Sequence, residues 1–282
     1  MKKFAKIVLI IAGVLTIVGS ICMLLAFAFG MTTDHFAKMI RDGKFSFDEG
    51  DFHISYENDW KDESDEDLHY GEHGIHEIDK TCKNLDIEFG AGIFEIYYDD
   101  VEFIQVKQND IQNLKVQVKN DTLVISEGAH VDLYVTDDRR LTVILPKEMQ
   151  FEDVSLEIGA SKASVKDVHA DCLEITVGAG QADISNIISK EFELEVGAGQ
   201  ATVTQLTSDR IDVDAGLGVV NVELNGVQEE YNYNIECGVG SVVVGSSDYS
   251  GLGASQKIEH DGATKQLDVD CGIGEVRIRF ME

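Results

Sequence analysis

Hydrophobic and polar residues alternate along residues 154–224 in a pattern written four times. Each copy places apolar side chains five, three and one positions before a glycine. These are Val154, Leu156 and Ile158; Leu173, Ile175 and Val177; Phe192, Leu194 and Val196; and Ile211, Val213 and Ala215. The glycines are Gly159, Gly178, Gly197 and Gly216, so the period is 19 residues three times running. Apolar residues return four and six positions later, as Ala163 and Val165, Ala182 and Ile184, Ala201 and Val203, Val220 and Val222. Alternation of this length predicts strands with one buried face on either side of a glycine corner. A fixed period near 20 residues predicts a solenoid, whose repeats bury their apolar faces against one another.

The same template recurs with a drifting period at residues 85–92, 233–240 and 267–274, centred on Gly90, Gly238 and Gly272. Residues 114–121 fit with Lys119, Asn120 and Asp121 in place of the glycines, since Asn and Asp tolerate turn geometry. Residues 131–138 fit around Thr136. The prediction is all-β: a parallel β-solenoid of about nine rungs, roughly 40 Å long at ~4.8 Å per strand. Residues 97–110 and 246–264 become excursions from the stack. The last strand, 275–280, is expected at an open end, its Arg277 and Arg279 discouraging end-to-end pairing. Gly90, Gly92, Gly178, Gly180, Gly197, Gly199, Gly216, Gly218, Gly238, Gly240, Gly272 and Gly274 are predicted structural turns. A phosphate-cradling loop would lead into a helix, whereas these lead into another strand.

The chain begins differently. Lys2, Lys3 and Lys6 precede an uncharged apolar run at residues 7–29, long enough as a helix to cross a hydrocarbon core of about 30 Å. Lysines before the run and none just after it place the N-terminus in the cytoplasm and the rest of the chain outside. Three segments follow. Residues 1–30 are a cytoplasmic tip and retained membrane anchor, 31–80 an acidic juxtamembrane linker, and 81–282 the repeat domain. The linker holds 15 acidic and 5 basic residues and is expected to be solvated. Its His69, His73 and His76 are spaced by four and three, which on a helical turn would offer three imidazoles to zinc or a similar ion. Gly71 and Gly74 weaken that turn, and solvent-exposed histidines are the alternative.

Charge narrows the partners. With 23 basic and 52 acidic residues, net −29, the chain lacks the clustered Lys and Arg that nucleic acid requires. Cationic ligands, metal ions or other envelope proteins fit better. The positions two before the glycines read Glu88, Glu157, Thr176, Glu195, Asp214, Glu236 and Asp270. Those four before read Asp86, Ser155, Glu174, Glu193, Asp212, Asn234 and Asp268. In-register stacking would turn both into outward columns with carboxylates ~5 Å apart, each pair repelling by about 1 kcal/mol in water. Cations could offset this at Glu157, Glu174, Glu193, Glu195, Asp212 and Asp214; Ca²⁺ suits such oxygens. Splayed, solvated carboxylates are the simpler reading. Cys237 and Cys271 hold positions that are aliphatic in other rungs, and so read as buried thiols; nothing in their spacing requires contact. Asp137, Asp138, Arg139 and Arg140 are the one mixed-charge break in the pattern, and they read as a loop. A carbohydrate-active site would need acids converging with bases in a groove. No catalytic residues are assigned.

The glycine-centred repeats, the strand at residues 141–146 and the apolar N-terminal run together resemble a family of bacterial envelope proteins known as adhesin candidates or toastrack-type β-strand-repeat proteins. The resemblance covers roughly residues 84–280. It implies a right-handed parallel β-solenoid outside the cytoplasmic membrane, and it brings no catalytic or binding residues with it. The expected function is a non-catalytic, membrane-anchored interaction or envelope-stress sensing module. A surface adhesin for a matrix or polymer ligand is the alternative, and a carbohydrate-active enzyme a more distant one.

Overall fold

The computed structural model describes residues 45–48, 51–54, 68–70, 73–78, 82–111, 114–127, 138–147, 149–249 and 251–281. The chain divides into two compact units at residues 60 and 61. In the first, Phe45–Asp48 and Asp51–Ile54 form an antiparallel hairpin. The apolar run at 7–29 and the rung expected at 131–138 lie, wholly or nearly so, outside the described residues. No helix among the described residues is long and apolar enough to cross a membrane.

The second unit is built from two parallel ladders joined at the glycine corners. Strands before the glycines pair in register: Val154 with Leu173, Leu173 with Phe192, Phe192 with Ile211, and Ile211 with Leu267. Strands after the glycines do the same, Ala163 with Ala182, Ala182 with Ala201, Ala201 with Val220 and Val220 with Val276. Some strands run through a corner unbroken, as Asn84–Asp99 and Phe151–Lys166 do. The alternation explains the burial. Along Arg210–Ala215 every second residue is buried and the others exposed, so each rung delivers its aliphatics to one core shared by both ladders. Each fully buried Val, Leu or Ile contributes about 1.5–3 kcal/mol, and no rung could supply that partner surface alone.

Spatial order departs from chain order at both ends. The Gly90 rung pairs directly with the Gly159 rung. At the far end the final rung, Lys265–Cys271 with Glu275–Met281, inserts between the Gly216 and Gly238 rungs. The glycine-bearing rungs therefore stack as Gly90, Gly159, Gly178, Gly197, Gly216, Gly272, Gly238, seven among the described residues. Two sequence expectations change as a result. The strand with Arg277 and Arg279 has a parallel neighbour on each side as far as Ile278, so Arg277 does not guard an edge, and Arg279 lies beside Glu223. Cys237 and Cys271 become register partners, both buried and both free thiols.

Residues 114–121 are not a rung. Leu114–Lys119 and Thr122–Glu127 form an antiparallel hairpin, and Asn120 and Asp121 take φ of 51° and 62° at its tip. Consecutive left-handed residues make a two-residue hairpin turn, not an open corner. Thr122–Glu127 and Arg140–Pro146 then lie parallel to the two arms of the Gly90 rung. Antiparallel strands close both ends of the stack. Leu114–Lys119 and Ile104–Asn109 do so at one end, Ala254–Ile258 and Ser247–Asp248 at the other. The packed unit also starts earlier than residue 81, because Leu68–Tyr70 and His73–Ile78 pair with these closing strands.

Candidate functional site

The outward face of the pre-glycine ladder is the most distinctive chemical surface among the described residues. Register partners place Glu88 beside Glu157, Glu157 beside Thr176, then Glu195, Asp214, Asp270 and Glu236 in turn. The second column runs Asp86, Ser155, Glu174, Glu193, Asp212, Asp268, Asn234. All six acids singled out for cations, Glu157, Glu174, Glu193, Glu195, Asp212 and Asp214, share this face.

Their neighbours set them apart from the other acids. Toward the turns, three carboxylates are paired: Lys190 with Asp171 at 2.7 Å, Arg210 with Glu191 at 2.6 Å, Lys83 with Glu152 at 2.9 Å. None of the eleven carboxylates in the two columns takes part in an ion pair among the described residues. Titration behaviour follows. Partial burial, and then the charges of Glu174, Asp212 and other acids around it, push the Glu193 carboxyl up. Asp212 is raised by burial and by Asp268 and Asp214. Asp270 is raised by burial and by Asp214 and Glu236, and Glu88 by burial and by Glu157 and Asp86. The arrangement holds negative charge with no ion-pair partner among the described residues. Among the described residues no three His, Cys, Asp or Glu side chains converge as a metal site. Ca²⁺ on this face would therefore have to bridge neighbouring acids of a column, with no closed cage to hold it.

The glycines serve close approach. A Cβ at Gly180 would run into the backbone carbonyl of Ser161, one rung away, and one at Gly274 into that of Gly218. Gly178 is less confined: a Cβ there would sit 3.4 Å from the Gly159 carbonyl oxygen, an ordinary contact, whereas one at Gly159 would run into the Gly90 carbonyl. Backbone N–H groups continue the inter-rung ladder through the corner, as from Leu217 to Gly197 and from Ile273 to Gly216. They are thus committed to hydrogen bonds within the stack.

The histidines do not form a helical turn. His69 lies in one strand and His73 and His76 in another, so the backbone that carries them is extended. The His76 ring lies 3.4 Å from the Gln108 side-chain amide, and burial lowers its pKa. The mixed-charge break is also structural. Arg139 is buried in an ion pair with Glu127, its guanidinium 5.9 Å from the Phe89 ring centroid, and Arg140 pairs with Glu95 at 2.7 Å. Sequence reasoning missed this pair because Glu127 ends one strand and Arg139 stands just before another, the two strands lying beside the arms of the Gly90 rung. It also passed over the side chains between the paired glycines, which change from Ala179 and Ala198 to Leu217, Ile273 and Val239. That change of residue size was the available signal.

Among solved structures, the chain is similar to a candidate cell adhesion protein from Clostridium sporogenes, at 16% identity over 74% of this chain and 99% of that one, with TM-score 0.40. It is similar to candidate adhesins from Bacteroides fragilis (12% identity, 73% and 95% covered, TM-score 0.32) and Parabacteroides distasonis (13%, 75% and 98%, 0.30). Among curated proteins none matches the sequence. Residues 48–250 match the family described as Toastrack DUF4097. That span takes in the repeats from the Gly90 rung to the Gly238 rung, and the chain belongs to the Toastrack DUF4097 family.

Proposed function

We propose that the protein is a non-catalytic interaction or envelope-stress sensing module, anchored in the bacterial membrane by residues 7–29, with its repeat domain outside the cell membrane. The acidic sheet face is its binding surface for cationic ligands. One observation carries this reading: eleven carboxylates stand in two columns with no cationic partner among the described residues. Such a surface attracts positive charge, with a strength that falls as salt rises. Holding the anchor in the membrane leaves the ladder free to report occupancy through the span or to a partner beside it.

Two measurements test the proposal. A cysteine placed at exposed Ser255 should react with an impermeant maleimide on intact bacteria; reaction only after lysis contradicts the external placement. The full-length protein should bind poly-lysine in a salt-dependent way. A variant carrying Glu193→Gln, Glu195→Gln, Asp212→Asn and Asp214→Asn should lose most of that binding. Unchanged binding removes the acidic face from the function. An adhesin would in addition hold intact cells to a surface coated with its matrix ligand.

A further inference from the structure

The corner beside the acidic columns changes character along the stack. Between the paired glycines the exposed residue is Ala179 and then Ala198 in the middle rungs, and Leu217, Ile273 and Val239 in the last three. Hydrogen bonds from Leu217 N–H to Gly197, Ile273 N–H to Gly216 and Val239 N–H to Gly272, at 2.7 to 2.8 Å, stack these three corners directly on one another. Their side chains are 53%, 64% and 63% exposed, and Leu252, 87% exposed, follows where Gly253 N–H bonds to Gly238. Glycine on both sides leaves nothing to shade them. The result is a continuous aliphatic ridge at one end of a strongly acidic protein. An exposed apolar patch of this kind, rimmed by polar groups, marks an interaction surface.

What the ridge takes is decided by its flank. Two positions before each corner stand Asp214, Asp270 and Glu236, the last acids of the inner column. A second copy of this chain would bring the same acids toward its own, and an anionic lipid surface would be repelled. A partner with apolar side chains in one row and Lys or Arg in the next satisfies both strips. We propose that the Leu217–Ile273–Val239 ridge and its acidic flank form a docking site for a basic amphipathic protein segment. The proposal rests on the reading of the acidic face as a binding surface and adds where on it specificity resides: charge draws the segment in, and the ridge selects an apolar row.

The test uses the full-length protein in a non-ionic detergent, with detergent alone as reference. The probes are a synthetic amphipathic Leu/Lys helix and a scrambled peptide of the same composition. The amphipathic peptide should bind about tenfold tighter than the scrambled one, which corresponds to about 1.4 kcal/mol. Leu217→Ser, Ile273→Ser and Val239→Ser together should erase that preference and leave the salt dependence in place. These residues are more than half exposed, so folding is spared. Asp214→Asn, Asp270→Asn and Glu236→Gln together should flatten the salt dependence. Equal binding of both peptides, or a ridge variant that keeps the preference, overturns the ridge even where poly-lysine binding stands. Self-association that the ridge variant abolishes assigns the surface to a second copy and also overturns it. Loss of poly-lysine binding alone would instead strike the broader reading.

Discussion

The two ladders of the stack share one core and one period, yet their outer faces have little in common. Inward, Leu194 before the corner and Ile184 after the preceding one are both buried within 1% of completely. Outward, the pre-glycine ladder carries two columns of acids without an ion-pair partner among the described residues. The post-glycine ladder carries a mixture: Lys162, Gln181, Gln200 and Val219 in one column, Ser164, Asp183, Thr202, Asn221 and Arg277 in the next. It also carries cations beside acids, Arg277 with Glu275 at 2.5 Å and Arg140 with Glu95 at 2.7 Å. A parallel stack constrains its inner positions and its corners, and leaves the outer positions free to differ. One outer face has filled with like charge, against the grain of stability, and function is the reason to look for there.

The comparison can be broken from inside. Leu194→Ala and Ile184→Ala, one on each ladder, should both lower stability by about 2–5 kcal/mol, read as urea midpoints at unchanged slope. A large inequality would mean that the ladders do not share one core. At the corner that joins them, Gly180→Ala should cost about 1–3 kcal/mol by forcing neighbouring rungs apart, while Gly178→Ala should cost far less. Equal losses would deny the close approach. Outside, Glu193→Gln with Asp212→Asn should stabilise by about 1 kcal/mol at low salt, and high salt should shrink the gain. The same kind of change on the other ladder, Asp183→Asn, should stay within about 0.5 kcal/mol. Arg277→Gln removes a half-exposed pair of the sort usually contributing little, and should likewise stay within about 0.5 kcal/mol.

Much of this was legible in the sequence, because a period of 19 residues fixes which side chains meet whichever way neighbouring rungs are joined. Val154, Leu173, Phe192 and Ile211 needed only the period to be placed in one column, and Glu174, Glu193 and Asp212 followed. Chain order was the wrong guide at the ends. Nothing local in residues 265–281 says that they enter between two earlier rungs, and the contact of Cys237 with Cys271 depends on that insertion. At residues 114–121 the alternation was right but the turn was misread: Asn120 and Asp121 suit a tight hairpin as well as a corner, and pairing between distant strands decides between them. The helical turn expected for the histidines failed for a similar reason. A spacing of four and three has meaning only on a helix, and the backbone there is extended.

The pH dependence of stability tests the uncompensated acidic face most directly. Glu88, Glu193, Asp212 and Asp270 hold protons more tightly folded than unfolded. Between the ordinary carboxylate range and their raised values the native state therefore binds more protons, and stability must rise as pH falls into that window. His76, whose pKa burial lowers, works in the opposite sense, but it is common to the parent and to a variant with those four acids changed to amides, so it cancels in their difference. Measured in urea from pH 7 to about pH 4, the parent should gain on the amide variant as the solution becomes more acidic, the gap between them closing. Two curves that run parallel across that range would mean that neither burial nor neighbouring carboxylates raise these four groups in the folded protein, and the account of the face as stored negative charge would be wrong.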